Sequence, residues 1–386
     1  MRFSLVDDPT TFHSAATALA AGCGPFAVDT ERASSFRYDD RAFLVQVHRR
    51  GAGTFLIAPE GHRDAVRSTF APVLNGADWI LHAAGEDLPS LAALGLYPGT
   101  VFDTELAARL AGFERPNLAA MVHEFTGVTL DKGHGREDWS ATPLPGEWQE
   151  YAALDVVHLN DLAEGLTELL DAAGKLDAAA QEFTHLLSLP PTPVKSWRDL
   201  KGLSTVPSGL GLEIARTLWE YRDTRARRTD TSPHALLSSK VLVEIARSQP
   251  RTPAELARVR GFPARRRGAV DKWFDVLSQA YHVSPTRWPA AAAERDDNPP
   301  SKSAWQRHHP QSWERFVAAR EALAELAGSL SIASEVLLQP ALLRKVVWEG
   351  VPGDTDSVAR ELLRAGARPW QVDAVSPVTA QALRGK

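Results

Sequence analysis

Hydrophobic and polar positions divide the chain into stretches of different character. In the first, short apolar runs alternate with turn residues. Phe26-Ala27-Val28, Phe43-Leu44-Val45-Gln46-Val47, Thr54-Phe55-Leu56-Ile57, Trp79-Ile80-Leu81-His82 and Thr100-Val101-Phe102 each read as a buried strand. Arg49-Arg50-Gly51-Ala52-Gly53 separates the second run from the third as a tight turn, and connections this short favour an antiparallel meander. A helical period from Asp64 to Leu74 precedes the Trp79 run, and a further helix precedes the Thr100 run. From there to about Leu187 the pattern is helix and loop. A meander followed by βαβ units predicts an α/β mixed sheet.

Beyond this stretch the pattern is helical throughout. Thr252-Pro253-Ala254-Glu255 is a capping box with proline at the first helical position, Gly261 ends that helix and Pro263 starts the next. Two proline-rich breaks, Leu189 to Pro193 and Ala290 to Ser303, read as linkers. The expected domains are therefore 1–188, 196–286 and 304–386. The third echoes the second at an offset of about 100 residues: Leu236-Leu237 against Val336-Leu337-Leu338, and Gly261-Phe262-Pro263 against Gly366-Ala367-Arg368-Pro369.

Composition narrows the class. Of 386 residues, 44% are hydrophobic and 24% charged, the profile of a soluble globular protein. The single cysteine, Cys23, excludes an intramolecular disulfide and a zinc site built on several thiolates. No apolar run reaches the length of a membrane span, and the N-terminal residues lack a signal-peptide core, so a reducing, cytoplasmic setting is expected. The net charge of −5 hides a division of charge. Residues 1–194 hold 13 Lys and Arg against 27 Asp and Glu, residues 195–290 hold 18 against 9, and residues 291–386 hold 12 of each. Either an acidic part holds cations and a basic part holds phosphates, or the charges are segregated on solvated faces.

Three short segments carry candidate chemistry. Val28-Asp29-Thr30-Glu31 puts two carboxylates on one face at the end of a strand; read alone they are a pair of solvated charges. Leu81-His82-Ala83-Ala84-Gly85-Glu86-Asp87-Leu88 is a strand, a small-residue turn and a helix start, where Glu86 and Asp87 could equally complement the helix N-terminus. Tyr151-Ala152-Ala153-Leu154-Asp155 places a phenol and a carboxylate on one helix face beside apolar positions, where a carboxylate needs a partner. Taken together, four carboxylates balance two divalent cations, and two ions roughly 3.5–4 Å apart can clamp the attacking and leaving oxygens of a phosphodiester displacement. Oxygen ligands select Mg²⁺ or Mn²⁺. The tyrosine would orient or deprotonate the attacking water.

With these segments the chain resembles ribonuclease D, within the DEDD-type 3′–5′ exonucleases of ribonuclease H-like fold. Gly127-Val128-Thr129-Leu130-Asp131-Lys132, then Asp138-Trp139 and Glu150-Tyr151, strengthen the resemblance, which covers essentially the whole chain. It implies Asp29, Glu31, Asp87 and Asp155 as ligands of two divalent ions, Tyr151 as the mark of the tyrosine subclass, and two all-α HRDC-like domains behind the catalytic one. Trp219-Glu220-Tyr221-Arg222-Asp223 carries the match to the first HRDC domain. The chain departs from the family pattern in having Arg32 where an aromatic usually follows the first-motif glutamate, though Phe36 and Tyr38 could supply stacking rings. Leu237-Ser238-Ser239-Lys240 stands where an acidic residue is common, and the third segment has no basic excess.

Further candidates point to nucleic acid. Thr30, His82 and Lys132 are expected near the strand, Lys132 and Arg136 as phosphate contacts. His82 could instead be hydrogen-bonded at a sheet end, and the Lys132 loop merely solvated. Gln46 could meet a nucleotide or make a structural bond. His308-His309 reads as a solvated linker end. Arg225, Arg227, Arg228, Arg258, Arg260, Arg265, Arg266 and Arg267 form a basic cluster for phosphate binding, while Trp219 and Trp273 fill helical cores. The resulting expectation is a metal-dependent exoribonuclease that trims RNA 3′ ends, such as those of tRNA precursors, to nucleoside 5′-monophosphates. A DNA exonuclease acting on single strands, or a silent RNA-binding protein, are the alternatives. Removal of residues beyond about 300 is expected to matter less than removal of the basic segment.

Overall fold

The computed structural model describes residues 2–130, 133–191, 193–207, 209–290 and 299–384. Lys132 and most of the second expected linker lie outside the described residues. Six strands form one sheet in the order β1-β4-β3-β2-β5-β6: β1 Phe3–Val6, β2 Cys23–Arg32, β3 Ala42–Arg50, β4 Gly53–Ile57, β5 Asp78–Leu81 and β6 Thr100–Asp103. β2, β3 and β4 make the antiparallel meander, and β5 and β6 join β2 in parallel. Gly51 and Gly53, both at positive φ, close the β3–β4 turn. β1, which pairs in parallel with β4 at the sheet edge, has too short and weak a pattern to stand out in the sequence.

Helices cover both faces. α1 Pro9–Ala21 and α2 Arg63–Leu74 bury Phe12, Leu19, Val66, Phe70 and Leu74 in a core with Val28, Val45 and Val47. α3 Leu88–Ala93, α4 Thr104–Leu110 and α5 Leu118–Thr126 follow the β5 and β6 strands. α6 Gly146–Val157 crosses β2, β3 and β4 on the other face, where Ala152 and Ala153 pack with Leu44, Leu56 and Trp139. Two alanines here let the helix lie close to the sheet. α7 Leu159–Ala172 and α8 Leu176–Ser188 complete this part.

The remaining two segments follow one plan. α9 Gly209–Thr229, α10 Pro233–Leu236, α11 Ser239–Ser248, α12 Pro253–Arg258 and α13 Ala269–Tyr281 have their own core around Leu218, Leu242, Trp273 and Leu277. After α14 Lys302–His308, the same succession returns as α15 Pro310–Ser329, α16 Ser334–Leu337, α17 Pro340–Trp348, α18 Thr355–Ala365 and α19 Pro369–Arg384. In each, a long helix of 21 or 20 residues is followed by a single turn of four.

Both segments are tied to the first. Arg41 holds Asp230 at 2.7 and 3.0 Å, Tyr38 donates to Asp223 at 2.9 Å, and the Ser232 amide donates to the Phe36 carbonyl at 3.0 Å. The third segment is joined through a shared core: Phe183, Leu166 and Leu170 belong to one apolar cluster with Phe316, Leu323 and Val372. Buried Glu182 receives Arg368 at 2.6 Å and the Trp370 indole at 2.7 Å.

Candidate active site

The site assembles where three elements end or cross. Asp29 and Glu31 lie two residues apart near the end of β2, opposite Gln46 and Leu44 of β3, and therefore face α6. A register shift follows Glu31, after which Arg32 pairs with Ala42 as the last residue of β2. Asp87 stands immediately before α3, after the turn that follows β5. In that turn Ala83 is held at φ 61°, an uncommon conformation for a residue with a Cβ. Buried Asp103 stabilises it: the carboxylate accepts from the Ala83 and Ala84 amides at 3.1 and 2.8 Å, and caps α4 by accepting from Glu105 and Leu106 at 2.9 and 3.1 Å. Asp155 lies on α6, one turn after Tyr151.

Carboxylate oxygens of Asp29, Glu31 and Asp155 all fall within 4.8 Å of one another. Asp87 stands beside this trio, 3% exposed, and accepts the Thr30 hydroxyl at 2.6 Å, with Ser90 3.1 Å from the same hydroxyl. Burial acts on every member, and repulsion within the cluster on Asp29, Glu31 and Asp155. Asp29 is pushed well above the usual carboxylate range by burial, then by Asp87, Asp155 and Glu31. Glu31 rises to about 9 through burial and repulsion from Asp155 and Asp87, with Arg32 opposing. Asp155 rises to about 7, and Asp87 to about 6 despite its bond from Thr30. Carboxylates gathered this closely repel unless protons or cations intervene. A convergent set of hard oxygen donors fits a divalent cation of the Mg²⁺ or Mn²⁺ class.

Tyr151 packs between His134, at 5.6 Å between ring centroids, and Trp139, at 6.4 Å. Burial, then repulsion from Asp155, Glu31 and Asp29, holds its hydroxyl protonated well above its ordinary range. Thr30, expected near nucleic acid, instead positions Asp87 through its buried hydroxyl. His82 likewise finds its partner inside the fold: its Nδ1 lies 2.9 Å from the Thr104 hydroxyl, and burial lowers it to about 4, so it carries no charge for a phosphate. Gln46 is fully buried opposite Asp29, and its amide has no hydrogen-bond partner among the described residues.

Members of the basic cluster differ in what they meet. Arg227 is drawn into the contact with the first domain, donating to the Tyr38 hydroxyl at 2.9 Å and pairing with Asp223 at 3.2 Å. Arg266 donates to the Ala235 carbonyl at 2.9 Å yet remains exposed, as do Arg228, Arg265 and Arg267; Arg225 is half-buried. Arg136 is exposed and Tyr38 is engaged, which leaves Phe36, 42% exposed, as the loop's open ring. Trp273 fills the core of the second segment with Trp219 packed against it. His308 and His309 are exposed. Sequence reasoning missed Asp103, whose signal is only an aspartate before a helix. It also missed Asp230, which meets Arg41 and Tyr38 of the β2–β3 loop from far along the chain, and Lys195, which lines a cavity of about 640 Å³ with Glu31, Arg32 and Gly135.

Comparison with known proteins agrees with this geometry. A 3′–5′ exonuclease family model matches residues 3–171, an HRDC domain model residues 211–269, and a 3′ to 5′ exonuclease C-terminal domain model residues 298–383. Ribonuclease D of Gluconacetobacter diazotrophicus is 36% identical over 187 residues, 47% of each chain. Over this stretch the chain is similar to curated proteins named ribonuclease D. The aligned stretch spans about half the length of the curated ribonuclease D relatives it matches first. A solved protein of Bifidobacterium adolescentis extends the likeness over the whole molecule, with a TM-score of 0.87 and 32% identity, covering 99% of this chain and 97% of that one. Escherichia coli ribonuclease D shares the fold at a TM-score of 0.72 and 23% identity, covering 100% of this chain and 99% of the other. The expected architecture, a mixed α/β exonuclease sheet followed by an HRDC region, is the ribonuclease D arrangement.

Proposed function

We propose that this protein is a metal-dependent 3′–5′ exoribonuclease that removes nucleoside 5′-monophosphates from RNA 3′ ends, tRNA precursors among them. The observation that carries this reading is the convergence of Asp29, Glu31 and Asp155 within 4.8 Å, with Asp87 beside them. The curated relatives named ribonuclease D support it. Asp29, Glu31, Asp87 and Asp155 would hold two ions, Mg²⁺ or Mn²⁺. Bound there, divalent ions supply charge neutralisation for the scissile phosphate and lower the pKa of water. Thr30 fixes Asp87 for this role, and the Tyr151 hydroxyl orients or deprotonates the attacking water. The exposed arginines of the second segment would capture the body of a structured RNA, in a cytoplasmic setting. No helix among the described residues is long and apolar enough to cross a membrane.

The test is digestion of a 3′-extended tRNA and of matched single-stranded DNA, with Mg²⁺, Mn²⁺ or EDTA, by the wild type and by Asp155→Asn. Shortening from the 3′ end to mononucleotides, lost with EDTA and in the variant, is expected. DNA digested in preference to RNA would favour the DNA exonuclease reading. RNA bound but left intact would favour a silent binding protein.

A further inference from the structure

Among the charged groups around the carboxylate cluster, Arg32 is placed unlike the others. It is the last residue of β2, directly after Glu31, and lines the cavity beside the site. One guanidinium nitrogen donates to the Glu86 carbonyl, which pins the stem over the β5–α3 turn. Its approaches to carboxylates are loose: 3.5 Å to Glu86, 3.8 Å to Asp40 and 3.9 Å to Asp87. Charge-assisted hydrogen bonds run at about 2.7–2.9 Å, so none of these is a closed ion pair. Arg41, which lines the same cavity, is by contrast committed at 2.6 Å to Asp39 and 2.7 Å to Asp230. Arg32 therefore holds a guanidinium at the rim of the cluster with its directional bonding capacity largely open.

The electrostatics of the first domain call for such a group. Residues 1–194 carry 27 acidic against 13 basic side chains, so a polyanionic strand is repelled on its way to the carboxylates. The cavity beside Glu31 has Asp39, Asp40 and Glu86 among its walls. In it a phosphodiester would meet the Arg32 guanidinium, held by one backbone bond and by no close carboxylate, beside exposed Lys195 from the linker.

We infer that Arg32 is a substrate-positioning residue whose guanidinium takes a backbone phosphate of the RNA strand ending at the Asp29–Glu31–Asp155 cluster. The inference rests on the exoribonuclease reading and adds to it the group that admits the strand to an acidic domain. Entry exchanges the loose contacts to Asp40 and Glu86 for a bidentate phosphate contact.

The full chain carrying Arg32→Gln and Arg32→Lys separates this role from a structural one. KM for a single-stranded RNA oligonucleotide is measured against KCl concentration, and Mn²⁺ binding is measured calorimetrically without RNA. For Arg32→Gln, KM rises at low salt and its log–log salt slope becomes shallower by about 0.7, the loss of one single-strand phosphate contact. Mn²⁺ affinity is no weaker than in the wild type, because removing a cation spares the ligands. Arg32→Lys restores the slope. Arg32→Met, which keeps the stem, gives the same comparison if the glutamine variant does not fold. An unchanged slope, or weakened Mn²⁺ binding with an unchanged slope, overturns the inference and leaves Arg32 as a pin for the β5–α3 turn. A wild type that leaves RNA intact would instead count against the exoribonuclease reading.

Discussion

At the scale of residues, the site is a balance between burial and like charge. Glu31, Asp155 and Asp87 are raised to about 9, 7 and 6, while unfolded carboxylates titrate near 4. Between these limits the folded chain binds more protons than the unfolded one, so its stability falls as pH rises. In EDTA the thermal midpoint is expected to drop between about pH 5 and about pH 8, and added Mn²⁺ to raise it more at the higher pH, where protons no longer compete. A midpoint in EDTA that is flat or rising across this range would contradict the assignment. Tyr151→Phe keeps the ring between His134 and Trp139 and removes only the hydroxyl. On the proposed role of that hydroxyl, orienting or deprotonating the attacking water, single-turnover cleavage should slow by about 10²-fold, the low end of the acid–base range, with the melting temperature unchanged. An unaltered rate would make Tyr151 a packing residue.

At the scale of elements, the turn between β5 and α3 decides where Asp87 lies. Its strained Ala83 and its two buried amides depend on Asp103, which caps α4 with the same carboxylate. Asp103→Ala removes a cap and orphans the Ala83 and Ala84 amides together, and should destabilise the protein by about 2–4 kcal/mol. It should also depress activity, because Asp87 rides on this turn. Asp103→Asn, which keeps one acceptor oxygen, should lose less of both in denaturant titrations and assays. Equal stability of Asp103→Ala and wild type would show that the turn holds itself.

At the scale of the whole molecule, charge and packing give the segments different parts. On charge, removing residues beyond about 300 should matter little for RNA binding. Packing gives that segment a separate part in stability, because Phe183, Leu166 and Leu170 of the first part share a core with Phe316, Leu323 and Val372. Glu182, 5% exposed, would also lose Arg368. A chain ending near residue 290 should unfold at lower denaturant concentration than the full chain, and Arg368→Ala alone should cost about 3–5 kcal/mol by leaving a buried charge unpaired. An unchanged unfolding midpoint in the shortened chain would show that the shared core adds nothing to the stability of the rest. The salt dependence of structured-RNA binding should still follow the exposed Arg265 and Arg267 of the second segment.

What the sequence determined by itself was whatever depends on local periodicity and short spacing. The β2–β4 meander, the shared face of Asp29 and Glu31, the one-turn spacing of Tyr151 and Asp155, and the echo between the two helical segments all follow from residues close along the chain. β1 escaped because four residues of mixed burial at a sheet edge carry little pattern. The tertiary structure alone decided the partners of polar groups: Thr30 with Asp87, His82 with Thr104, Arg227 with Tyr38, Arg41 with Asp230. A hydroxyl, imidazole or guanidinium reads the same in a sequence whether it will meet a phosphate or a neighbour from a distant element. Only the folded chain brings those neighbours within the few ångströms over which a hydrogen bond acts.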